Sequence, residues 1–291
     1  MHKVMFISLM FIACILYGQT TMQGPYYIGG TAADYADLDD AIVALHAANV
    51  TGNVQLYFNP GTYTGPYDID DLDLSGYNLL ISALTNDNGE VVLGNNATDN
   101  SNNFIIRIHD TDNVVIDNLD FAPTGTYARS IMVVGNSNDL LFQNNRFFNF
   151  GISSNNNESL YFQCEGSNDA DDVQIRFNQF FDGGYHITIN ASDSRALFSD
   201  WDIYANIHQG GYYGVYLKQV HNLSYNNNQM HDANVGFGAS SLSGSLDVSK
   251  NRIHAWAKGM DFVGCDPVDP GSTPNVYNNM ITVSGYNWYG G

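Results

Sequence analysis

The chain is short of positive charge: ten Lys and Arg face thirty Asp and Glu in 291 residues, a formal net charge of −20. Such a surface repels phosphate backbones and anionic bilayers, which excludes nucleic acid and membranes as partners. Helical periodicity is absent outside one stretch, so an all-α fold is excluded. Proline is scarce at 7 residues, and Cys at 3. With Cys14 in an apolar leader, only Cys164 and Cys265 are left.

What the chain has instead is asparagine in register. Asn145, Asn178, Asn206, Asn228, Asn251 and Asn279 each follow an apolar residue by three positions (Phe142, Ile175, Ile203, Tyr225, Val248, Val276), at spacings of 33, 28, 22, 23 and 28. The phrase Val115-Ile116-Asp117-Asn118-Leu119-Asp120-Phe121 fits one coil earlier, with Leu119 in the column. An irregular period above twenty signals stacked coils. Each turn of short strands rises about 4.8 Å onto the next. An inward Asn can then donate its amide to the Asn carbonyl of the next coil, forming a ladder inside a narrow core. Unequal spacings place loops of different length at the corners, and 28 Gly with many Asn-Gly and Gly-Gly pairs punctuate the strands. The composition is that of an extracellular all-β solenoid. On this register Cys164 and Cys265 end strands four coils apart, about 19 Å, too far for a disulfide.

Met1-His2-Lys3 and the apolar run Val4 to Leu16 read as a secretory leader, residues 1–18, too short to span a bilayer. Cleavage after Gly18 is preferred to acylation at Cys14, which would make a lipoprotein, because the apolar run continues past Cys14. Residues 19–65 read as an N-terminal cap. Asp34 to Ala48 forms its short helix, with Leu38, Ala41, Ile42, Leu45 and His46 on one face and Asp37, Asp39 and Asp40 near the positive N-terminus. Residues 66–291 read as coils. The sequence stops soon after the Asn279 phrase. Either Tyr286, Trp288 and Tyr289 fold over the last coil, or further domains of a longer surface protein follow, which is the favoured expectation.

The stretches Tyr27-Ile28-Gly29-Gly30, Tyr35-Ala36-Asp37-Leu38-Asp39-Asp40-Ala41-Ile42, Val54-Gln55-Leu56-Tyr57-Phe58 and Pro60-Gly61-Thr62-Tyr63, followed by the asparagine coils, resemble secreted bacterial right-handed parallel β-helix proteins of pectate-lyase-like architecture. The resemblance implies a parallel β-helix displayed at or beyond the surface of Gram-negative cells. It implies no single activity, since members include lyases, hydrolases, epimerases and adhesins. The hydrolase pattern fails here: Asp171-Asp172 is present, but Gly-His-Gly and Arg-x-Lys are not.

Alternation along the strands before each ladder phrase puts Phe162, Ile187, Ile189, Val215, Leu217, Phe237 and Phe262 inward. It puts Tyr161, Gln163, Thr188, Asn190, Tyr216, Lys218, Gly236, Gly238 and Asp261 outward. Aromatic rings beside amides and hydroxyls suit sugars, so Tyr161, Gln163, Thr188, Asn190, Tyr216 and Asp261 form the expected glycan site. Lys218, with His221 and Arg195 near it, is the candidate catalytic group if the chain is a lyase. Asp169, Asp171 and Asp172 form a polar loop suited to weak calcium binding; no other cofactor is expected. A second exterior column, Phe148, Phe181, Gln209, His231 and His254, reads as stacked rings and not as a metal site. The leading expectation is a secreted or surface-displayed coil that binds a polysaccharide or cell-surface glycan, or is adhesive, without catalysis. The alternative is a polysaccharide lyase acting on an acidic glycan.

Overall fold

A computed structural model describes residues 20–85, 89–127, 129–149, 157–164, 170–190, 198–265 and 274–285. The expected leader with Cys14, and Arg195, Asp169, Tyr286, Trp288 and Tyr289, lie outside these residues. The described chain winds as a right-handed β-helix with three faces, every strand pairing parallel to its counterpart one coil away. The first face stacks ten strands, running from Thr21–Ile28 through Val173–Arg176 and Val220–Asn226 to Asn275–Tyr277. The second holds short strands such as Arg146–Phe148, Gln179–Phe181 and Ile207–Gln209. The third holds Tyr67–Asp70, Ile106–His109, Ile131–Val134, Glu158–Gln163, Tyr185–Asn190 and Tyr213–Lys218. Near the C-terminal end, Gln229–Ser240 and Arg252–Val263 run continuously through the second and third faces, joining them into one sheet.

The helix is shorter than expected, Leu38–Ala47, with Asp37 as its N-cap accepting from the Asp40 backbone N–H at 3.0 Å. Leu38, Ala41, Ile42 and Leu45 are buried, but His46 is exposed near the C-terminus, where its polar ring faces water. Beneath the helix, Thr21–Ile28 pairs with Asn49–Phe58, which pairs with Leu79–Ala83, so cap and coils share one sheet.

Five of the ladder Asn, from Asn145 to Asn251, are buried, and Asn279 in the last described coil is half-buried. Asn206 shows the pattern: its Nδ2 donates to Asn228 Oδ1 (3.1 Å) and to the Ile175 carbonyl (2.8 Å). Its Oδ1 accepts from both the backbone N–H and the Nδ2 of Asn178 (2.9 and 3.0 Å). The ladder begins where Asn145 Oδ1 takes the Leu119 N–H and ends at Asn279. The residue before each ladder position takes a left-handed backbone: Asn118 (before Leu119), Asn144, Phe177, Ala205, Asn227, Lys250 and Asn278 all have φ between 54° and 59°. This conformation turns the corner and aims the next side chain inward.

Beside the ladder, Phe121, Phe147, Phe180 and His208 stack face to face at centroid separations of 5.0, 4.8 and 4.8 Å. His208 meets a second buried imidazole, His186, with their Nδ1 atoms 3.2 Å apart. His186 Nε2 lies 2.9 Å from the Asp182 carbonyl, which can only accept, so Nε2 carries the proton and Nδ1 accepts from His208 Nδ1–H. His208 Nε2 is then a lone pair with no hydrogen-bond partner among the described residues. His186 and Ile187 are consecutive and both wholly buried, as are Ser159 and Leu160, so the strands of the third face bend there and break alternation. Gly236, expected outward, occupies this same bend: a Cβ on it would meet Ile253 Cγ2 at 2.6 Å and the Gly259 carbonyl at 2.4 Å, inside the coil.

Two predictions follow from this core. Asn206→Leu orphans the Asn178 N–H and the Ile175 carbonyl, and urea unfolding should show a loss of about 1–3 kcal/mol; unchanged stability would refute the ladder's energetic role. Burial lowers the pKa of His186 to about 4 and that of His208 well below its usual 6.5. Unfolded imidazoles therefore protonate first as pH falls. Stability from the neutral pair is complete above 6.5 and declines toward 4, by up to about 1.4 kcal/mol per ring per pH unit. His208→Phe, which extends the Phe stack, should flatten this decline in denaturation curves taken between pH 6.5 and 4. A slope as steep as wild type would show that His208 is not its source.

Candidate functional site

The third face carries the expected row in register. Tyr161 pairs with Thr188, Thr188 with Tyr216, Tyr216 with Gly238 and Gly238 with Asp261. Gln163 pairs with Asn190 one column over, and Lys218 with Ser240. A cleft of about 380 Å³ opens on this row, bounded by Asn100, Arg129, Glu158, Tyr161, Tyr185, Thr188, Asn190 and Tyr216.

The rings are not equivalent. Tyr161 was expected as an open platform, but it is only 6% exposed: the Arg129 guanidinium covers its face, 3.9 Å from the ring centroid. The Tyr161 hydroxyl accepts from Asn190 Nδ2 at 2.9 Å, so the pair forms one wall of the cleft. Tyr185 and Tyr213 stack on adjacent coils, their centroids 5.0 Å apart and their planes within 3° of parallel. Tyr216 stands 60–61° from both, so its face is not consumed by the stack. Gly238 makes room for it: a Cβ there would lie 3.0 Å from Tyr216 Cδ2. At the upper end Lys258 Nζ binds Asp261 Oδ2 at 2.7 Å, which raises the ammonium pKa.

Alternation did not reveal the deepest residues. Glu158 accepts from Arg129 Nε at 2.7 Å, with both side chains buried. Arg129 also donates from Nη1 to Asn100 Oδ1 at 3.2 Å, and its backbone N–H to Asn103 Oδ1 at 3.0 Å. Burial pushes the Glu158 carboxyl up to about 7, outweighing the opposite pull of Arg129. Burial, with Tyr213, Tyr212 and Glu158 nearby, pushes the Tyr185 hydroxyl up to about 12. Glu158, Tyr185 and Tyr213 share a column just before the bend. Parity counted back from Leu160, Ile187 and Val215 assigns them to the core, so the single usable signal was the chemical one, a charge and two tyrosines at supposedly inward positions.

The other expected sites are dispersed. His221 belongs to the first face, in Val220–Asn226, with Nδ1 3.1 Å from Ser243 Oγ, while Lys218 is on the third. Asp171 Oδ1 accepts from the Ser199 N–H at 2.8 Å. Asp172 occupies a left-handed corner at φ 54°, where burial and then Asp139, Asp200 and Asp171 raise its pKa. Among the described residues, no three His, Cys, Asp or Glu side chains converge on a metal position. Asp68 and Asp70 are in a strand, bound to Arg107 and His109. On the second exterior column Phe148 stacks on Phe181 at 4.9 Å, whereas His254 turns to Asp232 and Ser284 (2.9 and 2.7 Å). Neither Cys164 nor Cys265 is in a disulfide.

The Arg129–Glu158 pair yields a titration test. Glu158 should titrate near 7 in carbonyl-detected NMR, and Arg129→Ala should move it higher by removing the main pull that favours the ionised form. A titration left in place by Arg129→Ala would show that the guanidinium does not set this carboxyl.

With this geometry in hand, residues 106–281 match the family model for the right handed beta helix region. The chain is similar in shape to a pectin methylesterase from Aspergillus niger (TM-score 0.49, 13% identity, 92% of this chain and 89% of that one). It is similar also to an alginate lyase from Paenibacillus sp. str. FPU-7 (0.42, 11%, 82% and 96%) and to a lacto-N-biosidase from Eubacterium ramulus (0.41, 11%, 89% and 68%). No curated protein sequence matches it. The family match extends over more than half of the sequence, and the chain belongs to the right-handed β-helix family.

Proposed function

We propose that the protein is a secreted or surface-displayed binder of a neutral glycan, held along the third face between the Arg129–Glu158 cleft and Asp261. The observation that carries this reading is the row itself. Tyr216 keeps an available ring face, hydroxyl and amide groups of Tyr185, Thr188 and Asn190 stand beside it, and successive coils repeat the row over about 19 Å. Three cations of this face, Arg107, Arg129 and Lys258, are each bound to a carboxylate: Asp68, Glu158 and Asp261. A chain of net charge −20 with its cations so engaged favours uncharged sugars over uronates.

A glycan-cleaving enzyme is the second reading, favoured by one observation: a carboxyl held near 7 at the base of a cleft is poised to exchange a proton at neutral pH. The Lys218 route to a lyase is less supported, because His221 stands on a different face.

Affinity electrophoresis and calorimetry across neutral and uronate polysaccharides test both readings. Neutral polymers should bind, and Tyr216→Ala should weaken them by roughly 1–3 kcal/mol with the fold intact, while Lys218→Ala changes little. Binding confined to uronate polymers would overturn the neutral-glycan reading. Release of reducing or unsaturated ends, lost in Glu158→Gln at unchanged binding, would replace the binding reading with the catalytic one.

A further inference from the structure

A second surface, away from the third face, carries a backbone anomaly. The corner residue before each ladder Asn is left-handed, a conformation that Asn adopts at little cost and bulky side chains avoid. Asn118, Asn144, Asn227 and Asn278 fit this rule; Phe177, at φ 59°, departs from it most. Burial does not compensate, because Phe177 is 49% exposed, and among the described aromatic rings its own pairs with Tyr204 of the next coil at 5.6 Å, itself 37% exposed. The sequence therefore places a large apolar ring, in a strained conformation, where water reaches it. Strain held in this way clusters at binding sites.

The ring borders a cavity of about 370 Å³, whose other walls are polar: Asp117, Asn118, Asn144, Arg146 and Gln179. The walls are ordered by their own bonds. Asn144 Nδ2 donates to Asp117 Oδ1 at 2.9 Å, and Arg146 Nε to Asp120 Oδ1 at 2.7 Å. An aromatic face beside fixed amides and one carboxylate matches a pyranose, with an apolar face of C–H groups and a rim of hydroxyls. Arg146 has its charge matched by Asp120, and Asp117 adds a negative one, so an uncharged sugar fits better than a uronate.

We infer that the corner around Phe177 is a second glycan-binding site, taking a neutral sugar residue against the Phe177 ring and the amides of Asn118, Asn144 and Gln179. It lies between the first and second faces, apart from the cleft of the third. The ligand class is shared with the proposed function, but the site rests on its own geometry. Two sites on one rigid coil give a polysaccharide two points of attachment, and the second is favoured by proximity once the first is made.

Phe177→Asn separates a binding role from a structural one, because Asn is the residue that the corner accepts elsewhere. If Phe177 serves binding, the substitution relieves the backbone and leaves Tm unchanged or raised by about 2–4 °C. It should also weaken retention by immobilised neutral polysaccharides about tenfold. The same loss should appear in a Tyr216→Ala background, which removes the cleft's platform and leaves this corner intact. A fall in Tm for Phe177→Asn would overturn the inference, since the ring would then be packing for stability. Retention unaffected by Phe177→Asn but abolished by Tyr216→Ala would overturn it while leaving the cleft reading in place. Retention of a partner protein in place of any polysaccharide, lost with Phe177→Asn, would also overturn it, and absence of glycan retention by the wild type would sink both sites.

Discussion

Parallel pairing of each coil with the next at about 4.8 Å is the constraint on which everything else depends. It fixes what a column of side chains can be, because each residue must tolerate its counterpart one step away. Asparagine meets that demand by donating and accepting along the same axis, as Asn178, Asn206 and Asn228 do at 3.0 and 3.1 Å. Flat rings meet it by stacking, as Phe147 and Phe180 do inside and Tyr185 and Tyr213 outside. Carboxylates do not: burial first, and then repulsion from Asp139, Asp200 and Asp171 at their corner, raises the pKa of Asp172. Most like-charge columns are avoided by alternating sign, with Asp68 under Arg107 and Asp120 under Arg146.

That same periodicity decides how far the fold was legible in sequence. Ladder spacing gave the coils, their inward apolar residues and the order of the outward row, because a fixed offset from Asn sets the phase of the preceding strand. It failed where the strand bends. Two successive inward residues, Ser159-Leu160 and His186-Ile187, shift the phase by one. Gly236 was placed on the wrong side, and Glu158, Tyr185 and Tyr213 were hidden. Tyr161 was assigned to the right column, but its covering by Arg129 depends on a loop residue that no strand pattern reaches.

Buried polar groups divide into two kinds. The ladder Asn have both amide hydrogens and the carbonyl oxygen engaged, which makes them structural by chemistry. His208 and Glu158 are left incomplete: one has a bare ring nitrogen in the core, the other a carboxyl that burial holds near half-protonation at neutral pH. Their pH dependences oppose each other. Glu158, raised from its usual 4.5, costs stability as pH climbs toward 7, whereas the imidazoles cost stability as pH falls below 6.5. Between 6.5 and 4 the two imidazoles therefore act against the one carboxyl.

Where coil lengths differ also bears on recognition. Residues 150–156 and 165–169 flank Glu158–Gln163 in the sequence, and residues 191–197 follow Tyr185–Asn190, so the extra residues within the spacings of 33 and 28 are joined to strands of the third face. The corner at Phe177 has none beside it: Arg176 ends one strand, and Gln179 begins the next. A loop can be lengthened without changing the register of the coils on either side, whereas Phe177 is locked to the ladder by the adjacent Asn178. Of the two proposed sites, the Phe177 corner is thus the one whose geometry the ladder itself sets, whatever the loop lengths elsewhere in the repeat.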